Sequence, residues 1–223
     1  MFKTIKAKIT IFFIAIMIFG VIFTSWGIDD IDGLLAHPAR VTLLLILLAQ
    51  LLIILFIPLG WKSTRLPSEP DENNMLVTFI GAMGILLFLM ISPFSDRQEW
   101  AQLWGGDTMR YVGLFLFSVG AIFSTWAAFH LCKQFNIQAK NQHSKLVTDG
   151  PFKYVRHPRD FGSILLFLGI PLVFLSGLGL LLAFLSVAGL FERISREERV
   201  LQQKYQEEWS IYAEKTKCLI PWA

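Results

Sequence analysis

Residues 161–190 read FGSILLFLGIPLVFLSGLGLLLAFLSVAGL, 30 residues without a charge. Whether they form one helix or two decides the architecture. One long tilted helix would need only part of this length, since roughly 20 residues cross a hydrocarbon core. Two helices would each sit near the lower limit of about 17, which calls for local thinning of the bilayer or a shallow re-entrant turn. Pro171 and the run Ser176-Gly177-Leu178-Gly179 punctuate the middle as helix breakers do. Charge separates the two readings. With a cytoplasmic N-terminus and a hairpin here, 17 of the 20 lysines and arginines fall on the cytoplasmic side, leaving only Arg40, Arg97 and Arg110 outside. A single span moves the last six across, giving 11 against 9, and nearly erases the bias that orients membrane proteins. The hairpin is the expected form.

Working outward, the rest of the chain agrees with a membrane environment. Of its 223 residues 54% are hydrophobic and 17% charged, with a mean hydropathy of +0.55, whereas a soluble domain carries about 25% charged residues. Apolar runs at 9–26, 41–59, 75–91 and 111–131 read as four more spans. The first follows Lys3, Lys6 and Lys8 like a signal peptide but lacks a small-residue cleavage pattern, so it reads as a retained span. The expected fold is an all-α membrane protein of about six transmembrane helices with both termini cytoplasmic. The last two spans form the short hairpin, followed by a C-terminal amphipathic cytoplasmic helix.

Residues 62–74, with Pro67, Pro70 and five charges, read as a solvated linker. It divides an accessory two-helix unit, 1–74, from a main membrane domain, 75–223. Trp26, Trp61, Trp100 and Trp104 suit the aromatic belts at the headgroup level, the last two on one face of a short interfacial turn. The net charge of +3 is mild and spread over loops, so no nucleic-acid partner is expected. Cys132 and Cys218 lack metal or disulfide spacing, and no metal is expected. His37, His130 and His143 also lack ligand spacing and suit core or interface positions.

Two polar stretches flank the hairpin. The first is HSKLVTDGPFKYVRHP, residues 143–158, in which Gly150-Pro151 marks a turn; the second contains Arg196, Glu197 and Glu198. From residue 191 onward Phe191, Ile194, Leu201, Tyr205 and Tyr212, with Trp209 alongside, mark one buried helical face. Glu198 falls where that stripe expects an apolar residue, four after Ile194 and three before Leu201. A carboxylate there needs a buried partner. Glu197 is placed to pair with Arg193 one turn back. Arg156 and His157, read alone, equally suit a basic cluster meeting lipid phosphates at the membrane edge.

The order Leu146-Val147-Thr148-Asp149-Gly150-Pro151-Phe152, Val155-Arg156-His157-Pro158, Gly162, Glu197-Glu198, Leu201, Tyr205, Trp209, Tyr212, Pro221 resembles a known signature. It is that of the isoprenylcysteine carboxyl methyltransferase family and its phospholipid methyltransferase relatives. The resemblance covers 143–221 and leaves the first two spans unmatched. It implies an integral membrane enzyme using S-adenosyl-L-methionine, with the cofactor site in 143–162 and 191–221. Carried over residue by residue, the cofactor-binding positions are Leu146, Val147, Gly150, Tyr154, Arg156, His157, Pro158, Glu197 and Glu198. Arg156, His157 and Asp160 are the catalytic candidates. Asp160 departs from the family's usual tyrosine, placing an extra carboxylate at the expected mouth of the site, with an altered acceptor preference or an inactive member as the two outcomes.

The chemistry of the cofactor fits those residue types. Its amino-acid carboxylate suits Arg156 or His157, while Glu197 and Glu198 suit its ammonium or ribose hydroxyls. The acceptor is a lipophilic small molecule or lipid, either an isoprenylcysteine-like carboxylate, needing no general base, or a phospholipid amine, for which Asp160 or His157 is placed to assist. Two other functions stay open on sequence alone: a membrane reductase of the sterol-reductase type using NADPH, and a non-catalytic lipid-binding protein. A bacterial inner membrane and a eukaryotic endomembrane both suit the chain.

Overall fold

A computed structural model describes residues 2–56, 72–141 and 145–219. Among them the chain is helical, with no strand longer than an isolated bridge. The helices are α1 (Phe2–Trp26), the short α2 (Ile31–Leu35), α3 (Pro38–Phe56), α4 (Glu72–Arg97), α5 (Gly106–Asn141), α6 (Pro158–Val173) and α7 (Gly177–Lys215). Four are long and apolar enough to cross a membrane, in the segments Lys8–Trp26, Pro38–Leu55, Gly106–Gln134 and Gly177–Lys215. The chain is a multi-pass helical membrane protein. The expected linker lies mostly outside the described residues, and Glu72, Asn73 and Asn74 already belong to α4.

Residues 161–190 do form a hairpin. Its break lies at Phe174, Leu175 and Ser176, and Pro171 sits inside α6. Leu175 takes a positive φ of 48° and Ser176 caps α7, its hydroxyl accepting from the Gly179 amide at 3.0 Å. The turn is stitched to the α4–α5 loop: Leu103 N–H donates to Leu175 C=O at 2.8 Å and Gly177 N–H to Ala101 C=O at 3.0 Å. That loop is irregular. Glu99 and Ala101 have φ of 52° and 51°, so Trp100 and Trp104 do not share a helical turn, although both are exposed as belt residues would be.

The C-terminal amphipathic stretch begins as a continuation of the hairpin's second arm. Nothing between Phe191 and Leu201 stops a helix, since Glu, Arg and Leu are good helix formers. The second arm of the hairpin therefore runs on unbroken as far as residue 205, about 44 Å at 1.5 Å per residue. The helix breaks only at Gln206, whose φ and ψ are 44° and −110°. On the expected stripe Ile194, Trp209 and Tyr212 are buried, whereas Phe191 is exposed. It lies where α7 leaves the packed bundle.

Close helix packing sets where the hairpin stands. A Cβ on Gly120 would lie 2.6 Å from Gly162 C=O, and one on Gly162 would lie 2.7 Å from Gly120 C=O. Only glycine allows this approach of α5 and α6, the small-residue packing common between membrane helices. On the other side Ser186 of α7 fills the space beside Gly84 of α4.

The hairpin turn marks one end of the bundle, and the three arginines expected outside gather there. Arg110 makes two bonds to Asp96, at 2.8 and 2.7 Å, and one to Val173 C=O at 2.7 Å. Arg40 stands 3.6 Å from the same carboxylate and 4.5 Å over the Trp26 ring. Arg97 pairs with Asp29. The open end of the hairpin, where α6 begins and α7 turns polar, is the opposite one.

Candidate functional site

Pro158 starts α6 at a position where its missing N–H costs nothing, and Asp160 in the first turn faces the positive end of the helix dipole. Arg156 and His157 are the last residues before that turn. Across from them α7 presents Glu198, and the partners required by its place in the apolar stripe are Arg156 and His157. Arg156 Nε donates to Glu198 Oε1 at 2.7 Å, and His157 Nε2 lies 3.2 Å from the same oxygen. Residues 42 positions apart in sequence thus meet, with the Arg156 and Glu198 side chains 14% and 26% exposed.

The Arg156 guanidinium does more than pair with Glu198. Its Nη1 donates to Ala213 C=O at 3.0 Å and also to Thr216 C=O, and its plane stands 5.8 Å from the Trp209 ring. The backbone joins in, with Arg156 N–H donating to Lys217 C=O at 2.8 Å and His157 N–H to Cys218 C=O at 3.1 Å. Tyr212 hydroxyl donates to Phe152 C=O at 2.6 Å. The tail beyond the Gln206 break is therefore folded back and bound along 152–157. Sequence reasoning did not show this, because segments this short carry no strand pattern.

His157 is buried between two carboxylates: Glu198 on Nε2, and Asp160 3.7 Å from Nδ1. Asp160 is also buried, only 4% exposed, so it is not at the mouth of the site as its position in the motif suggested. Its Oδ1 accepts from Arg193 Nη2 at 2.8 Å. Arg193 pairs with Asp160 of α6 instead of Glu197 on its own helix. A line of ionisable side chains results: Arg193, Asp160, His157, Glu198, Arg156.

The remaining sequence candidates flank this line. Pro158 is buried at the start of α6, and Leu146 and Val147 are half-buried in the loop before it. The amides of Leu146 to Asp149 donate to no other backbone group among the described residues. Gly150 has a φ of 61°, and a Cβ there would meet the His130 ring. His130 Nε2 lies 3.0 Å from Asp149 Oδ1, whose carboxyl its hydrogen bond holds below the usual range; Gln134 donates to the same carboxylate at 2.7 Å. His130 thus anchors the loop, and His37 contacts Asp107 at 3.1 Å at the other end of the bundle. Tyr154 is exposed, its ring beside Trp126. His143 lies outside the described residues.

Cys218 was set aside in the sequence for want of spacing, yet the folded tail brings it to the site. Burial and the neighbouring Glu198 carboxylate push its thiol up to about 11. His157, Glu198 and Cys218 could each offer one ligand atom within 4.8 Å of the others, as could His157, Asp160 and Glu197. Guanidiniums already stand on Glu198 and Asp160, so those two carboxylates have their counter-cations from the chain itself.

These features define a helical membrane protein with a charged site built at the open end of a two-helix hairpin. Residues 108–208 match the family model of phospholipid methyltransferases. The resemblance read from the motif is thereby borne out from the loop through the hairpin to the Glu-Glu pair, and the match reaches back through α5. The family implies methyl transfer to a lipid-type acceptor. No curated protein matches the chain.

Proposed function

We propose that the protein transfers a methyl group from S-adenosyl-L-methionine to a lipophilic acceptor at the cytoplasmic face of its membrane. The acceptor is an isoprenylcysteine-like carboxylate or a phospholipid amine. The observation that carries this reading is the junction of Arg156 and His157 with Glu198, which joins the two motif halves at one end of the bundle. The excess of basic residues in the segments at that end supports its cytoplasmic placement. It also supports six spans, with α4 and α6 completing the four that length and composition identify. The match begins within α5, which supports an accessory role for α1 to α3.

The donor set fits the cofactor. Glu197 and Glu198 are acceptors for an ammonium and ribose hydroxyls. The loop amides from Leu146 to Asp149 are open to polar groups, and Gly150 keeps the loop close to α5. Tyr154 and Pro158 lie on either side of Arg156 and His157 in the chain and complete the cofactor-binding set. Bound there, S-adenosyl-L-methionine supplies a methyl group on a sulfonium already activated for displacement.

The chain's task is then alignment and exclusion of water, which can contribute on the order of 7–11 kcal/mol. Arg156 fixes the tail over the site while holding Glu198. For an amine acceptor the group placed to take the proton is the Asp160–His157 pair, whose carboxylate and ring Nδ1 stand 3.7 Å apart; a carboxylate acceptor needs none taken. Asp160 orients His157 at the reacting end. The test is a thermal melt of the purified protein with S-adenosyl-L-methionine, its demethylated product and NADPH side by side. Stabilisation by the first two, lost in Glu198→Ala, is expected. Stabilisation by NADPH alone, or by none, contradicts methyl transfer.

A further inference from the structure

Arg193 is a cation whose placement the cofactor site does not explain. Its side chain is 51% exposed, and only Nη2 is spent on Asp160, at 2.8 Å. It stands five residues before Glu198 on α7, about 7.5 Å nearer the apolar part of the helix at 1.5 Å per residue. Leu181, Phe184, Leu185 and Phe191, also on α7, are exposed and so face lipid. A lipid moving from the bilayer towards His157 and Glu198 meets the level of Arg193 first.

Asp160 gives this arginine its position. A carboxylate 4% exposed requires a cation, and Arg193 reaches it across the hairpin from a residue 33 positions away. The pairing leaves part of a planar, multi-donor guanidinium open at the rim, a geometry suited to carboxylate or phosphate oxygens. The same positive charge opposes an approaching ammonium.

We propose that Arg193 is an acceptor-binding, specificity-determining residue that receives an oxyanion of the incoming lipid, with Asp160 as the buried counter-ion that holds it at the rim. This assignment rests on the methyl-transfer reading for the site it serves. The oxyanion is either the acceptor carboxylate itself or the phosphodiester beside an amine.

The experiment measures lipid binding to the full chain in nanodiscs by native mass spectrometry, so that it does not depend on turnover. One arm compares a prenylated cysteine bearing a free carboxylate with its methyl ester. The other compares an aminophospholipid with an uncharged diacylglycerol of the same chains. Wild-type protein is expected to favour the oxyanion-bearing member of at least one pair about tenfold, as loss of one charge-assisted bond implies, and the arm showing it identifies the source. Arg193→Gln should abolish that preference without changing calorimetric affinity for S-adenosyl-L-methionine, and Arg193→Lys should keep part of it.

Arg193→Gln strands a buried carboxylate and can fail to fold, so the Arg193→Gln/Asp160→Asn double variant removes both charges together. If Arg193 serves only to neutralise Asp160, the double variant keeps the lipid preference, and the proposal is overturned. Absence of any preference in the wild type overturns it as well. A preference that is present and lost as described, with no methyl transfer to either acceptor, supports the lipid site and removes the methyltransferase reading instead.

Discussion

Arg156→Lys retains the charge and changes only its shape. The arginine reaches Glu198 through Nε and the Ala213 and Thr216 carbonyls through Nη1, three contacts from a rigid planar head. A lysine ammonium is a single point on a flexible stem and cannot span the same three acceptors. Each hydrogen bond to a charged group contributes about 1.5–3 kcal/mol when buried. With the pair 14% and 26% exposed and one contact retained, a net loss of about 2–4 kcal/mol is expected. That loss falls on the folded tail, since Lys217 and Cys218 carbonyls are held by the same 156–157 segment. Limited trypsin digestion in detergent should therefore cut at Lys215 and Lys217 on the order of thirtyfold or more faster in the variant. Hydrogen exchange at the Arg156 and His157 amides should rise in parallel. Cleavage and exchange unchanged from wild type would refute the role given to the guanidinium.

Three further outcomes follow from the packing and charge. Asp96→Asn leaves Arg40 and Arg110 buried without their shared carboxylate and should cost about 3–5 kcal/mol, read as lost thermal stability. Gly162→Ala drives a methyl to 2.7 Å from Gly120 C=O and should cost about 1–3 kcal/mol by melting, with loss of the α5–α6 approach. Cys218, with its thiol at about 11, should alkylate at pH 8 on the order of a hundredfold more slowly than a free cysteine and recover as pH rises. A free-thiol rate at pH 8 would show that the tail is not folded against the 156–157 segment.

The hairpin was legible because charge asymmetry and a cluster of breakers agree, and the break falls at the Ser176 side of that cluster. Proline is tolerated in membrane helices, and Pro171 stayed inside α6. Glu198 was legible as a polar residue interrupting an apolar stripe, and the structure sets Arg156 and His157 against it. The Arg193–Asp160 pair was not legible, because nothing in local periodicity relates two residues on different arms of a hairpin. Nor did the sequence reveal the tail folding back at Gln206, which depends on one residue's backbone angles. The three outer arginines were placed on one side by counting, but their sharing of Asp96 and Asp29 arises only from helix packing.

The most direct measurement is ultraviolet cross-linking of methyl-labelled S-adenosyl-L-methionine to the purified protein, with the labelled fragments mapped by mass spectrometry. Label in both 145–160 and 193–219, competed away by the demethylated product, is the expected result. Saturable label confined to 2–56, or no competable label in either polar segment, would contradict a cofactor held where Arg156, His157 and Glu198 meet.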